Sequence, residues 1–188
     1  ISATEDAINA GDAINVSGGY IYAESTGTDV DAFDSNGDIT ISGGIVVAVA
    51  PNGGTCNSFD KGDAASDKFS ITGGTIVGIG GVVCQPTVTQ NTVVYGSMTS
   101  GQTIALKSSS STVLAFTIPQ AYTTMILSSP DIITGTSYSV YSGGSATAYD
   151  TSFHGLYLGN LTYTGGSLVG STTFTASGLK KLGGANYF

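Results

Sequence analysis

Asp38-Ile-Thr-Ile-Ser-Gly-Gly-Ile-Val-Val-Ala48 reads as two short β-strands joined by a glycine corner. Ile39 and Ile41 alternate with Thr40, and a period of two places successive side chains on opposite faces of a strand. Past Gly43 and Gly44 the alternation resumes, with Val46 directed inward and Ile45 and Val47 outward. A sharp corner needs residues that lack a Cβ or tolerate positive φ, and that is the role of the glycine pair. No helical pattern follows to supply an N-terminal dipole, so the corner is not a phosphate cradle.

The same pattern stands on either side. Asp12-Ala-Ile-Asn-Val-Ser-Gly-Gly-Tyr-Ile-Tyr-Ala23 precedes it and Asp67-Lys-Phe-Ser-Ile-Thr-Gly-Gly-Thr-Ile-Val-Gly78 follows. Gly18, Gly43 and Gly73 are separated by 25 and 30 residues, a spacing that signals a stacked solenoid. Two strands per repeat, stacked at ~4.8 Å, predict an all-β chain: a right-handed parallel β-helix of about three rungs over residues 1–85. Beyond Cys84 the repeat stops. Short β-like runs at 92–95, 103–107, 112–117, 124–127 and 138–141, separated by Ser-Gly, Ser-Pro and Gly-Gly signals, predict a β-rich C-terminal cap over residues 86–188. A solenoid end exposes strand edges and core, so a differently built cap is expected there.

Composition agrees with a polar-surfaced β protein: 28 glycines in 188 residues, 40% hydrophobic and only 10% charged, with no arginine and no tryptophan. Eleven of the thirteen carboxylates lie in residues 1–67 beside Lys61 alone, a net −10; the remainder carries four lysines and two aspartates, a net +2. So negative a field repels nucleic acid and anionic membranes, and leaves cations, neutral sugars, or acidic sugars bridged by a cation as partners. No apolar run approaches the ~18–20 residues of a membrane span. The first residue is Ile1, without Met or a signal-peptide pattern, which suggests a piece processed or excised from a longer protein.

The acids gather in the turns before each long strand. Aligning Phe33-Asp34 with Phe59-Asp60 puts Asp34 and Asp60 in one ladder and Asp12, Asp38 and Asp67 in another. Stacked carboxylates repel unless neutralised, and Ca²⁺ takes six to eight hard oxygen ligands at about 2.3–2.6 Å. Candidate ligands are Asp12, Asp31, Asp34, Asn36, Asp38, Asp60, Asp63 and Asp67, helped by turn carbonyls. Asp34-Ser-Asn-Gly-Asp38 has the outline of half an EF-hand loop, but Ile45 occupies the twelfth position and no helices flank it. The plainer alternative is that these Asp and Asn residues only initiate turns.

Cys56 lies 12 residues after Gly44 and Cys84 lies 10 after Gly74, nearly the same place on successive rungs. Stacked neighbours lie about 5 Å apart, within disulfide reach, so a Cys56–Cys84 bridge is expected in an oxidising compartment, with two buried thiols as the alternative. No CxxC occurs and His154 is the only histidine, which argues against zinc.

Asp-Ala-Phe-Asp-Ser-Asn-Gly-Asp-Ile-Thr-Ile-Ser-Gly-Gly at 31–44, together with Thr-Ser-Tyr-Ser-Val-Tyr-Ser-Gly-Gly-Ser at 136–145, resembles a bacterial family of secreted carbohydrate-binding parallel β-helix proteins. That family is described for cellulose and acidic sugars and is similar in shape to pectate lyases. The resemblance spans roughly residues 6–176 and implies a secreted or cell-surface protein, calcium in the acidic turns and a glycan ligand. Fold analogy alone does not identify function.

Sugar recognition normally uses exposed aromatic faces, and Tyr20 and Tyr22 share the outward side of the first rung. Ile45, Val47 and Val77 continue that outward ladder, so the face could equally be covered by the cap or by another subunit. Catalysis is not expected. A uronate lyase typically uses an Arg base and this chain has none, although Lys61 and Lys68 lie near the acids; His154 has no paired nucleophile. The expected function is calcium-dependent, non-catalytic polysaccharide binding. The alternative is a structural subunit that stacks head-to-tail into an extracellular filament, since open β-helix ends make heterologous, non-closing contacts.

Overall fold

A computed structural model of the chain describes residues 1–82 and 84–183. These fold into eighteen β-strands with no helix among them. The first half supplies β1 (Ser2–Ala3), β2 (Ile8–Ala10), β3 (Ile14–Ser25), β4 (Phe33–Ser35), β5 (Ile39–Val49) and β6 (Phe69–Gly80). Each quoted repeat is a single long strand bent at its glycine pair. β3, β5 and β6 stack in parallel, with Ile14, Ile39 and Phe69 in register before the corner and Ile21, Val46 and Ile76 after it. At the corner, a Cβ on Gly43 would come within 2.4 Å of the Ser17 carbonyl oxygen, and Gly44 has a φ of 88°. One glycine permits the close stacking of rungs, and the other the left-handed turn.

A second wall faces this stack. β2 pairs in parallel with β4, and Asp34 of β4 bridges in parallel to Asp60. Between the walls Phe33, Phe59 and Phe69 are fully buried and stack with ring centroids 5.1 and 4.7 Å apart. Full burial of such a side chain is worth about 1.5–3 kcal/mol, so this column, with Ile39, Ile41, Ile71 and Ile76, holds the rungs together.

The second half supplies β7 (Pro86–Val88), β8 (Thr92–Tyr95), β9 (Thr103–Lys107), β10 (Thr112–Thr117), β11 (Thr124–Ser128), β12 (Ser137–Ser142), β13 (Ser145–Ala148), β14 (Thr151–Phe153), β15 (Leu156–Leu158), β16 (Leu161–Thr164), β17 (Ser167–Thr173) and β18 (Leu179–Leu182). β7 continues the parallel stack under the first limb of β6. Against the second limb of β6, however, β11 runs antiparallel, β8 runs antiparallel to β11, and β18 closes the sheet parallel to β8. The eight-stranded sheet is therefore mixed: parallel through the three repeats, and antiparallel where strands from beyond Cys84 join it. No further hydroxyl-Gly-Gly corner follows Gly74 until Ser142-Gly-Gly, so nothing returns the chain in the same direction on the next rung.

A second sheet, in the order β14-β15-β10-β9-β12-β17, packs on the first. Its inner residues Ile104, Leu106, Leu114, Phe116 and Val140 meet Val47, Val77, Met125 and Leu127. The outward ladder of the corner strands is thus core along Val47 and Val77, both fully buried, while Ile45 is partly buried and Tyr20 at its first-rung end is exposed. On the opposite face of the second sheet, the antiparallel pair β13–β16 covers Ala105 and Ala115 with Tyr163.

Candidate functional site

Asp31, Asp34 and Asp60 each present a carboxylate oxygen, and these atoms all lie within 4.8 Å of one another. β4 carries Asp34; the segment entering it carries Asp31; the matching turn of the next rung carries Asp60. Asp34 and Asp60 meet because Phe33 and Phe59 stack beneath them, so the aromatic column sets the carboxylate ladder. Asp31 is only 9% exposed and accepts the Asn57 backbone N–H. Asp6, one rung earlier, accepts the Asp31 N–H at 2.8 Å, and Asn9 donates its side-chain amide to both Asp6 and Asp34.

The electrostatics are those of a cluster that Lys61 compensates only at Asp60. Burial pushes the Asp31 carboxyl up to about 7; the Asn57 N–H pulls against this, and the charges of Asp60, Asp6 and Asp34 push further. Burial and then the charges of Asp6 and Asp60 raise Asp34. Asp60 is raised mainly by burial, against the Cys84 hydrogen bond. Lys61, the neighbouring cation, donates its Nζ to the Gly62 carbonyl.

The donor set fits calcium. Two oxygens on opposite sides of an ion with Ca–O distances near 2.4 Å are about 4.8 Å apart, and all three donors are hard oxygens. The adjacent thiol does not make the site a soft one. Cys84 Sγ donates to Asp60 Oδ1 at 3.2 Å, and burial pushes it up to about 11, so at neutral pH it is a hydrogen-bond donor rather than a thiolate ligand.

The other expected ligands lie elsewhere. The register sets Ile14 against Ile39 and Ile39 against Phe69, which places Asp12 and Asp67 opposite Gly37 and Asp38 opposite Lys68. Asp12, Asp38 and Asp67 therefore do not form one ladder. Asp38 accepts the backbone N–H of Lys68 on the next rung at 2.7 Å, and Asp67 accepts the Ala64 N–H at 3.1 Å, a turn-closing bond of the kind short acids often make. Asn36 and Asp63 are exposed, and Asn36 binds the Ala10 carbonyl through its backbone N–H. Asp6 was legible only as one acid among many, because its tie to Asp31 spans 25 residues.

The two first-rung tyrosines separate in role. Tyr20 is 64% exposed and meets Phe153 edge-on with centroids 5.5 Å apart. Tyr22 is half-buried and stacks flat on His154, centroids 3.8 Å apart and planes 8° apart. Burial and the charge of Glu24 push the Tyr22 hydroxyl up to about 12. Together with Ile1 these side chains line an open cleft of about 340 Å³. Phe153 and His154 arrive on the β14–β15 hairpin, whose turn residues His154 and Gly155 have φ of 46° and 81°. The signal for that turn is in the sequence: a two-residue X-Gly loop between short strands is a hairpin pattern with positive φ at both positions.

Cys56 and Cys84 are free thiols, so the expected disulfide is not formed. Asn57 bridges to Val82 and the Cys84 N–H reaches the Phe59 carbonyl, which aligns Cys84 with Phe59 and Asp60 rather than with Cys56. Counting from the corner missed the difference in loop length after it. No protein-family model, no curated protein and no solved structure matches the chain.

Proposed function

We propose that this is a secreted, calcium-dependent polysaccharide-binding module without catalytic activity, whose parallel stack is about three rungs of a right-handed β-helix. The observation that carries the reading is the Asp31–Asp34–Asp60 cluster, three hard donors at calcium spacing with their carboxyl groups raised by burial first and then by neighbouring aspartates. Such a cluster destabilises its own rungs unless a cation neutralises it. The sugar platform is Tyr20 with Phe153 and the His154–Tyr22 stack, an open aromatic cleft suited to the apolar face of a pyranose ring. Asp31 is too deeply buried to meet a glycosidic bond, which favours a structural cation over general acid catalysis.

Retention on polygalacturonate and cellulose affinity gels tests this. Retention is expected with Ca²⁺, clearly weaker retention with EDTA, and no ultraviolet-absorbing unsaturated uronate in the eluate. Absence of retention on every glycan under both conditions sinks the reading. One observation favours the filament alternative. β1 covers β3 only at Glu24 and Ser25, so among the described residues Ile14–Ile21 presents an open parallel edge of the kind that receives another strand. Polymer in size-exclusion and fibres in electron micrographs, with or without sugar, would make assembly the primary role.

A further inference from the structure

We infer that Lys107 and the hydroxyl-lined surface around it form a second ligand site, on the outer face of the C-terminal sheet, for the carboxylate of an acidic sugar. The inference rests on the polysaccharide reading above but uses neither the acidic cluster nor Tyr20.

The placement follows from strand alternation. β9 is an inner strand, paired to β10 on one side and β12 on the other, and Lys107 stands in register with Thr112 and Ser139. Ile104 and Leu106 point into the core, so Ala105 and Lys107 take the outer face. There the Lys107 Nζ sits 5.3 Å from the centre of the Tyr141 ring and 5.9 Å from that of Tyr163. Two rings hold the ammonium in place by attraction to their faces. Among the described residues no carboxylate pairs with it. The cation is therefore positioned, half-buried and without a counter-charge.

The surroundings indicate what brings that counter-charge. Open clefts of about 310 and 320 Å³ flank Lys107, within the range of small-molecule sites. One is bounded by the four-serine turn Ser108–Ser111, the other by Ser137, Ser139 and Tyr141. Ser139 is bonded to Ser171 at 3.0 Å and Ser137 to Thr173 at 2.6 Å, so paired hydroxyls carpet the approach. Each hydroxyl retains capacity for a further hydrogen bond. One ammonium, aromatic edges and many hydroxyls match a singly charged, hydroxylated ring. A phosphate group would usually meet several cations or a row of backbone N–H groups. Charge separation across the molecule points the same way: an anionic sugar is repelled by the −10 of residues 1–67 and accepted by the half that carries +2.

Titration of the whole chain with a galacturonic acid trimer in EDTA tests the site, since chelation removes any calcium-bridged binding. Wild type is expected to bind, and Lys107→Met, which keeps the stem between the rings, to bind about tenfold more weakly or worse. Lys107→Gln should repeat the loss, and Lys68→Met, which removes the same charge from an exposed position outside the site, should leave binding in EDTA unchanged. The methyl-esterified trimer should bind wild type as weakly as the acid binds Lys107→Met. Unchanged affinity in both Lys107 variants, equal binding of the ester, or displacement by an equal concentration of inorganic sulfate would each overturn the assignment. If glycan retention with Ca²⁺ persists while the trimer ignores Lys107, only this inference falls. If no sugar binds with or without Ca²⁺, the polysaccharide reading falls with it.

Discussion

The parallel stack and the antiparallel sheet use the same small, hydroxylated vocabulary to opposite electrostatic ends. In the stack, β3, β5 and β6 keep one register, so residues at equivalent repeat positions lie on top of one another and any acid at a repeated position meets its own kind. Asp34 over Asp60 is the result, and burial beside Asp31 compounds it. In the second sheet, antiparallel pairing sets residues from unrelated positions side by side, as Lys107 beside Thr112 and Ser139. Its outer face accumulates hydroxyl pairs and one lysine instead of a charge ladder. Parallel repetition concentrates charge that then calls for a counter-ion, whereas antiparallel pairing disperses it.

The comparison breaks most severely at the aromatic column. Phe59→Ala removes the ring on which Phe33 and Phe69 both stack, and is expected to cost about 3–5 kcal/mol in denaturant unfolding. A loss under 1 kcal/mol would mean that the stack does not depend on its ladder.

Next in size is the cation. Calcium at a hundredfold excess over its dissociation constant should stabilise by about 2.7 kcal/mol, seen as a melting shift of several degrees that EDTA reverses. Asp31→Asn should abolish that shift and also raise the melting temperature in EDTA, because it removes the most crowded charge; the same substitution at Asp131, far from the cluster in sequence, should do neither. An undiminished calcium response in Asp31→Asn removes the cluster from consideration.

The pH dependence is smaller and has a definite sign. Asp31 holds its proton up to about pH 7 in the folded chain against an ordinary value of 3.8. Its contribution is present in full below pH ~4 and lost as pH rises toward 7. Metal-free stability should therefore fall across that window by on the order of 1–3 kcal/mol, and the calcium response should grow as it does. A metal-free protein that gains stability between pH 4 and 7 contradicts the cluster electrostatics. The least effect is expected from reductant. With both thiols free, it should leave the melting temperature unchanged, and alkylation of denatured, unreduced protein should add two labels by mass.

Much of this was readable beforehand, for physical reasons that differ by residue. The five apolar runs of the second half are strands because runs of four to six residues between turn signals are too short for a stable helix and pair readily when extended. Asp34 over Asp60 was legible because each follows a phenylalanine that must enter the core. The Asp12, Asp38 and Asp67 alignment failed by one residue, since it followed the acids instead of the apolar residues that set register. Lys107 carried no signal at all, because its tyrosines come from positions 34 and 56 residues further along the chain.

By itself, then, the amino-acid order determined the all-β character, the glycine corners, the spacing of rungs and the concentration of acid in the first 67 residues, because each depends on local alternation, backbone freedom or composition. Tertiary structure alone decided which strands extend the stack, that Cys84 faces Asp60 rather than Cys56, that Asp31 rather than Asp12, Asp38 or Asp67 meets Asp34 and Asp60, and that His154 lies on Tyr22. Those outcomes depend on the direction and length of the connections between strands, which decide where a side chain is carried but leave no periodic trace in the sequence that makes them.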